Sequence, residues 1–184
     1  MGNQTKYKPI LFQTDMVQAI LLGRKIQTRR IVKDPLQKPK YKVGDVIWVR
    51  ETFVEDIEGN YLYKADVGID GWSIDSKWKP SIFMPKPAAR IFLEVTEVRT
   101  EPLKDITEED SKAEGVDFVQ QAGFELPSAY KNYMDNSVRN FTVKTAKESF
   151  ETLWLSINGI GSWNENPSVF AYTFKVVAKP ADFC

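Results

Sequence analysis

The sequence has no histidine, and its single cysteine, Cys184, is the last residue. The first absence removes Ser-His-Asp and Cys-His chemistry and the common zinc sites. The second removes a disulfide within the chain, which fits a reducing cytosol. No metal and no cofactor is expected. No apolar run approaches the roughly 20 residues that span a bilayer, so no membrane role is expected either. The opening MGNQTKYKPI lacks the apolar stretch of a signal peptide, and Lys6 stands where a myristoylation signal wants Ser or Thr. These features together read as a cytoplasmic protein. Net charge is also missing, because 25 Lys and Arg balance 25 Asp and Glu. Nothing global therefore draws this chain to nucleic acid, and an electrostatic argument must rest on local clustering.

What is present is an ordinary globular composition, 42% hydrophobic and 27% charged over 184 residues. That is enough for one domain with a real core. KPILF reads as a strand. TDMVQAILLG reads as a short amphipathic helix, with Thr14 as cap and Gly23 at its end. KIQTRRIV is extended, VIWVRETFV is strongly β-type, and NYLYKA is another short strand. ARIFLEVTEVRT is the longest strand, with Ile91, Leu93 and Val95 on one face, and SVFAYTFKVVA is the last. DITEEDSKAEGV is a compact helix capped by Thr107. TAKESFETLWLSING is the clearest helix. Thr145 and Glu148 form a capping box, and Ala146, Phe150, Leu153, Trp154 and Ile157 form its apolar stripe. Five or six short strands with three helices, the strands not each followed by a helix, predict an α+β fold. Its sheet should be small, curved or barrel-like, with the helices outside. Residues 1–184 read as one domain, and the weakly patterned 117–144 segment as an insert.

The stretch GRKIQTRRIVK, residues 23–33, carries Arg24, Lys25, Arg29, Arg30 and Lys33 around one hydroxyl, Thr28, and no acid. Such a window can neutralise phosphates. It can equally complement a helix dipole or form a solvated edge. Five tryptophans are many for this length. Trp154 belongs to a core stripe. Trp78 and Trp163 lie in irregular segments, where they can stack a base or plug the end of a barrel. Arg50, Glu51 and Arg90 stand beside buried-looking strands. They are second-rank candidates for ligand contact, or scaffold partners of one another.

Four blocks in order carry a resemblance: ILLGRKIQTRR, YKVGDVIWVRE, WKPSIFMPKPAARIFLEVTEVRTEPLKDITEEDSKAEGV, and FETLWLSINGIGSWNENPSVFAYTFKVV. Together they resemble the ASCH-domain family, which has a PUA-like β-barrel fold. The Trp-x-Pro-Ser and Trp…Asn-Pro blocks look most like its phage and prophage branch. The resemblance covers roughly residues 8–177, apart from the 117–144 segment. It implies binding of RNA or a nucleoside or nucleotide. Small bacterial members similar to this chain hydrolyse acetylcytidine nucleosides, using a Lys, a Thr three residues on, and a Glu in the downstream helix. Here those are Lys25, Thr28 and Glu114. Other members are described as ribonucleases. Relatives often carry His where this chain has Phe83.

That set is chemically coherent. A threonine hydroxyl needs a base, and without histidine the bases left are a desolvated lysine or a carboxylate with a raised pKa. In a straight strand, residues three apart point to opposite faces, so Lys25 and Thr28 converge only if the chain turns after Gly23. The expected function is RNA or nucleotide binding in a basic cleft. The alternatives are a metal-free amidohydrolase acting on acetylated cytidine, a ribonuclease, and a phage accessory protein that meets a protein partner through the insert.

Overall fold

The computed structural model describes residues 7–67, 77–119, 129–134 and 142–183. Its strands are β1 (Lys8–Leu11), β2 (Gln27–Ile31), β3 (Val46–Arg50), β4 (Phe53–Glu55), β5 (Tyr61–Tyr63), β6 (Phe92–Pro102), β7 (Phe118–Val119), β8 (Ala129–Lys131), β9 (Thr142–Val143) and β10 (Ser168–Val177). Its helices are α1 (Thr14–Leu21), α2 (Glu108–Ala113) and α3 (Ala146–Asn158). The chain is α+β. Among the described residues no helix is long and apolar enough to cross a membrane.

The main sheet has five strands in the order β1-β3-β6-β10-β2. β1 runs parallel to β3, and the other pairs are antiparallel. The long β6–β10 ladder is its spine, with a register shift between Thr173 and Phe174. Period-two alternation sends Ile47, Leu93 and Val95 to one face and Trp48 and Phe92 to the other. The first face joins the main core with Phe170, Tyr172 and Phe174, roofed by Met16, Val17 and Ile20 of α1 and by Phe150, Leu153 and Trp154 of α3. The second face packs Trp48, Ala89 and Phe92 around Phe183.

The expected barrel is not closed among the described strands. β1 and β2 are the two edges, and no ladder joins them. A side chain links them instead, since Arg30 Nη2 of β2 donates to the Leu11 carbonyl of β1 at 3.1 Å. VIWVRETFV is two strands rather than one, broken at Glu51 and Thr52. Arg90 reaches in from before β6 to take both oxygens of the Glu51 carboxylate at 2.9 Å each. Thr14 is the first residue of α1 rather than its cap, and the capping position is Gln13, which makes no side-chain cap bond. Ile157 leaves the buried stripe of α3, being 52% exposed. The described parts of the 117–144 segment form a small sheet in the order β7-β8-β9. Residues 120–128 and 135–141 lie outside the described residues, as does Trp72.

The cap of α3 forms as its spacing predicts. The Thr145 side chain accepts from the Glu148 amide at 3.1 Å, and Glu148 Oε2 accepts from the Thr145 amide at 3.1 Å. Thr145→Ala should cost about 1 kcal/mol, read as a lowered denaturant midpoint with an unchanged slope.

Candidate functional site

The gap between β1 and β2 opens into a cavity of ≈ 250 Å³. Leu11 and Phe12 wall it from the end of β1, Met16 from α1, and Thr28 and Arg30 from β2. Lys25, Glu114 and Arg29 also line it, and Phe150, Trp154 and Asn158 contribute from α3.

The route of the chain into β2 explains the convergence. Gly23 takes φ 72°, a left-handed value suited to glycine, so α1 ends there. The amides of Arg24 and Lys25 then both donate to the Ala19 carbonyl, at 2.8 and 3.0 Å. The Ile26 amide donates to the carbonyl of Ala113, the last residue of α2, at 2.9 Å. The anticipated turn after Gly23 is therefore built by backbone bonds to two helix ends. It delivers Lys25 to the same cavity as Thr28, although the two lie three residues apart.

Lys25 is 2% exposed, and all three of its ammonium protons are used. Nζ donates to the Gln27 carbonyl at 2.9 Å, the Glu114 carbonyl at 2.7 Å and Glu114 Oε2 at 2.9 Å. Burial pulls its pKa below the usual lysine value. Glu114 opposes that pull, while Arg30 and Arg29 add to it. Glu114 caps the end of α2, and its Oε1 accepts from Arg29 Nη1 at 3.1 Å. Thr28 Oγ1 accepts from Arg30 Nη1 at 2.8 Å. Among the described residues nothing accepts the Thr28 proton, and no hydrogen bond joins Thr28 to Lys25. Catalytic hydrogen bonds are commonly long before substrate binds.

Gly115 makes room for this arrangement. It has φ 86°, and a Cβ on it would stand 2.6 Å from Lys25 Cβ and 2.9 Å from Ala19 Cβ. No side chain longer than hydrogen fits between α1 and the end of α2.

The sequence matches no family profile and no curated protein. A solved structure similar to this chain is the ASCH domain from Lactobacillus crispatus. It is 14% identical, the match covers 95% of this chain and 82% of that one, and the TM-score is 0.42.

The basic window divides into two groups. Arg29 has a fully buried side chain that pairs with Glu101 at 2.6 Å, Asp110 at 3.0 Å and Glu114 at 3.1 Å. It is a hub of the scaffold whose donors are spent on the protein rather than on a ligand. Arg24 pairs with Asp117 at 2.7 Å and donates to the Gly115 carbonyl, so it ties the exit of α1 to the start of the insert. Arg30 and Lys33 form the second group. Both residues are exposed, and neither pairs with a carboxylate among the described residues. The Arg30 guanidinium lies 5.3 Å from the centre of the Phe12 ring. Its partial loss of water lowers its pKa, against the pull of Glu114.

The other candidates fall away from the cavity. Glu51 is 1% exposed and held by Arg90, which also pairs with Asp66 at 2.7 Å. Arg50 binds the Ile82 carbonyl and lies over Trp48. Trp163 is buried against Phe150, with ring centres 6.2 Å apart, so it is core rather than a stacking platform. Trp78 is half-buried and does not line this cavity. Phe83 is 68% exposed on a short turn and does not line this cavity.

Sequence reasoning missed Phe12 and Asn158 and took Trp154 for core alone. Trp154 is buried, lines the cavity, and has an indole N–H without a partner among the described residues. Asn158 Nδ2 donates to the Trp154 carbonyl at 3.1 Å, and the four-residue spacing of this pair was the available signal. Among the described residues no group of three or more His, Cys, Asp or Glu is placed to hold a metal.

Two substitutions separate scaffold from site. Arg29→Ala strands three carboxylates, two of them partly exposed, and should cost on the order of 3 kcal/mol, seen as a large fall in melting temperature. Arg30→Ala should melt within a few degrees of the parent, because that residue is exposed and holds no ion pair. Gly115→Ala should destabilise by at least about 1 kcal/mol through backbone strain. It should also displace Lys25, visible as perturbed amide resonances around Lys25 and Ala19 beyond those of the mutated turn.

Proposed function

We propose that this chain is an ASCH-type, PUA-like protein that takes a nucleoside- or nucleotide-sized ligand into the cavity between β1 and β2. We further propose that it hydrolyses an acyl amide on that ligand. Acetylated cytidine is the substrate class that the sequence resemblance implies, and the same sequence blocks suggest the phage-type branch. One observation carries the reading. Lys25, Thr28 and Glu114, the three residues singled out by the resemblance, line a single cavity, although Glu114 comes from a distant segment of the chain.

The dimensions support a small ligand over a strand of RNA. At ≈ 250 Å³ the cavity lies just below the roughly 300–1,000 Å³ of drug-sized sites. Most of the basic window is not free to follow a phosphate backbone. Arg24, Lys25 and Arg29 are neutralised by Glu101, Asp110, Glu114 and Asp117.

The chemistry needs Lys25 in its neutral form, and its lowered pKa favours that form. Thr28 Oγ attacks the acyl carbon as its proton passes to the Lys25 amine. The amide C–N bond breaks, and the leaving nitrogen takes up that proton. Water then cleaves the threonyl ester, releasing the carboxylic acid and restoring the Thr28 hydroxyl. The Arg30 guanidinium, already 2.8 Å from Thr28 Oγ1, is placed to stabilise the developing oxyanion. The unpartnered Trp154 N–H offers a hydrogen bond to the ligand.

A second reading, binding without turnover, is favoured by the full engagement of the Lys25 protons and by the missing Lys25–Thr28 bond. Acetylcytidine turnover, followed by absorbance, separates the two. The parent should deacetylate it. Thr28→Val should lose roughly 10²–10⁴-fold with its melting temperature kept, and Thr28→Ser should retain part of the rate. The rate should rise with pH through a group that titrates below the ordinary lysine value, because only deprotonated Lys25 acts as base. No turnover by the parent leaves the binding reading, and full activity in Thr28→Val removes Thr28 from the chemistry.

A further inference from the structure

We propose that a second cavity beside the first is a phosphate subsite, so that the ligand is a phosphorylated nucleoside rather than a free one. This rests on reading the first cavity as the seat of the nucleoside. The second cavity, ≈ 360 Å³, shares Leu11, Arg30, Ile31 and Asn158 with the first, so one ligand can occupy both.

Its lining holds three cations, Arg30, Lys33 and Lys40, and no carboxylate. Among the described residues none of the three has an ion-pair partner, whereas Arg24, Lys25 and Arg29 of the same basic window all do. Two of the cations are held in place by β1. Arg30 Nη2 donates to the Leu11 carbonyl at 3.1 Å, and Lys40 Nζ donates to the Pro9 carbonyl at 3.2 Å. Each keeps further N–H donors for a ligand. Tyr172 adds another, since its oxygen accepts from the Lys40 amide at 3.1 Å and its own proton is unused among the described residues. The Lys40 ammonium is disfavoured by burial first, then by the charges of Arg30 and Lys8. A bound anion would relieve that repulsion. A phosphate dianion, with oxygens in several directions, matches three separated cations better than a single flat carboxylate does.

Calorimetry on the full chain tests this, with inorganic phosphate, cytidine, cytidine 3′- and 5′-monophosphate, and a cytidine dinucleotide as probes. One of the monophosphates should bind about tenfold or more tightly than cytidine, and inorganic phosphate should compete with it. In a folded Lys33→Gln, Lys40→Gln double variant that preference should vanish. Monophosphates and cytidine binding within about twofold of each other would overturn the subsite, as would a preference that survives in the double variant. Phosphate bound by the parent and lost in the double variant, with no binding of cytidine, keeps the subsite and removes the nucleoside reading. A dinucleotide that matches the monophosphate identifies the phosphate as one of an RNA backbone, and a weaker one identifies it as terminal.

Discussion

The buried network of Lys25, Glu114 and Arg29 is what the rest of the site depends on. Glu114 uses one oxygen for each cation, at 2.9 and 3.1 Å. Two cations and a carboxylate removed from water are tolerable only if each donor finds an acceptor. The backbone supplies the remainder for Lys25, through the carbonyls of Gln27 and Glu114. The network thereby joins three elements that the sheet does not connect directly: the exit of α1, the start of β2 and the end of α2. It also holds in place the amine that the proposed chemistry uses as a base, in a chain that has no histidine for the task.

A division of labour among like residues follows. Arg29 and Arg30 are neighbours in sequence and strangers in role, because β2 sends them to opposite sides. One is sealed among Glu101, Asp110 and Glu114. The other reaches Thr28 and β1 and remains accessible. Counting positive charge in the window therefore overstates its basicity towards a ligand. The cations that matter are the few left unpaired.

Features of the fold set by local chemistry were legible in the sequence. The cap of α3 and its stripe as far as Trp154, the Thr107 cap of α2 and the end of α1 at Gly23 each depend on residues within a turn or two of one another. The convergence of Lys25 with Thr28 was legible through resemblance and through the turn after Gly23. What escaped was non-local. The neutralisation of Arg29 depends on acids 72 and 81 residues away. Glu51, at the break between β3 and β4, is held by Arg90, 39 residues on, a contact that no local propensity signals. Trp163 sits in an irregular segment, yet it is buried because Phe150 of α3 comes to meet it.

The strand order has a kinetic side. β2 carries Thr28 and Arg30, and its sole ladder partner among the described strands is β10, which follows it by well over a hundred residues. Tyr172 of β10 stands directly opposite Thr28. During synthesis β2 emerges early, and its backbone groups have no strand to pair with until β10 arrives. Closing so long a loop is entropically slow, and contacts of that separation lengthen folding. The cavity between β1 and β2 therefore cannot form before the last strand is in place, and until then an edge rich in arginine is exposed, whose charge discourages pairing with other chains.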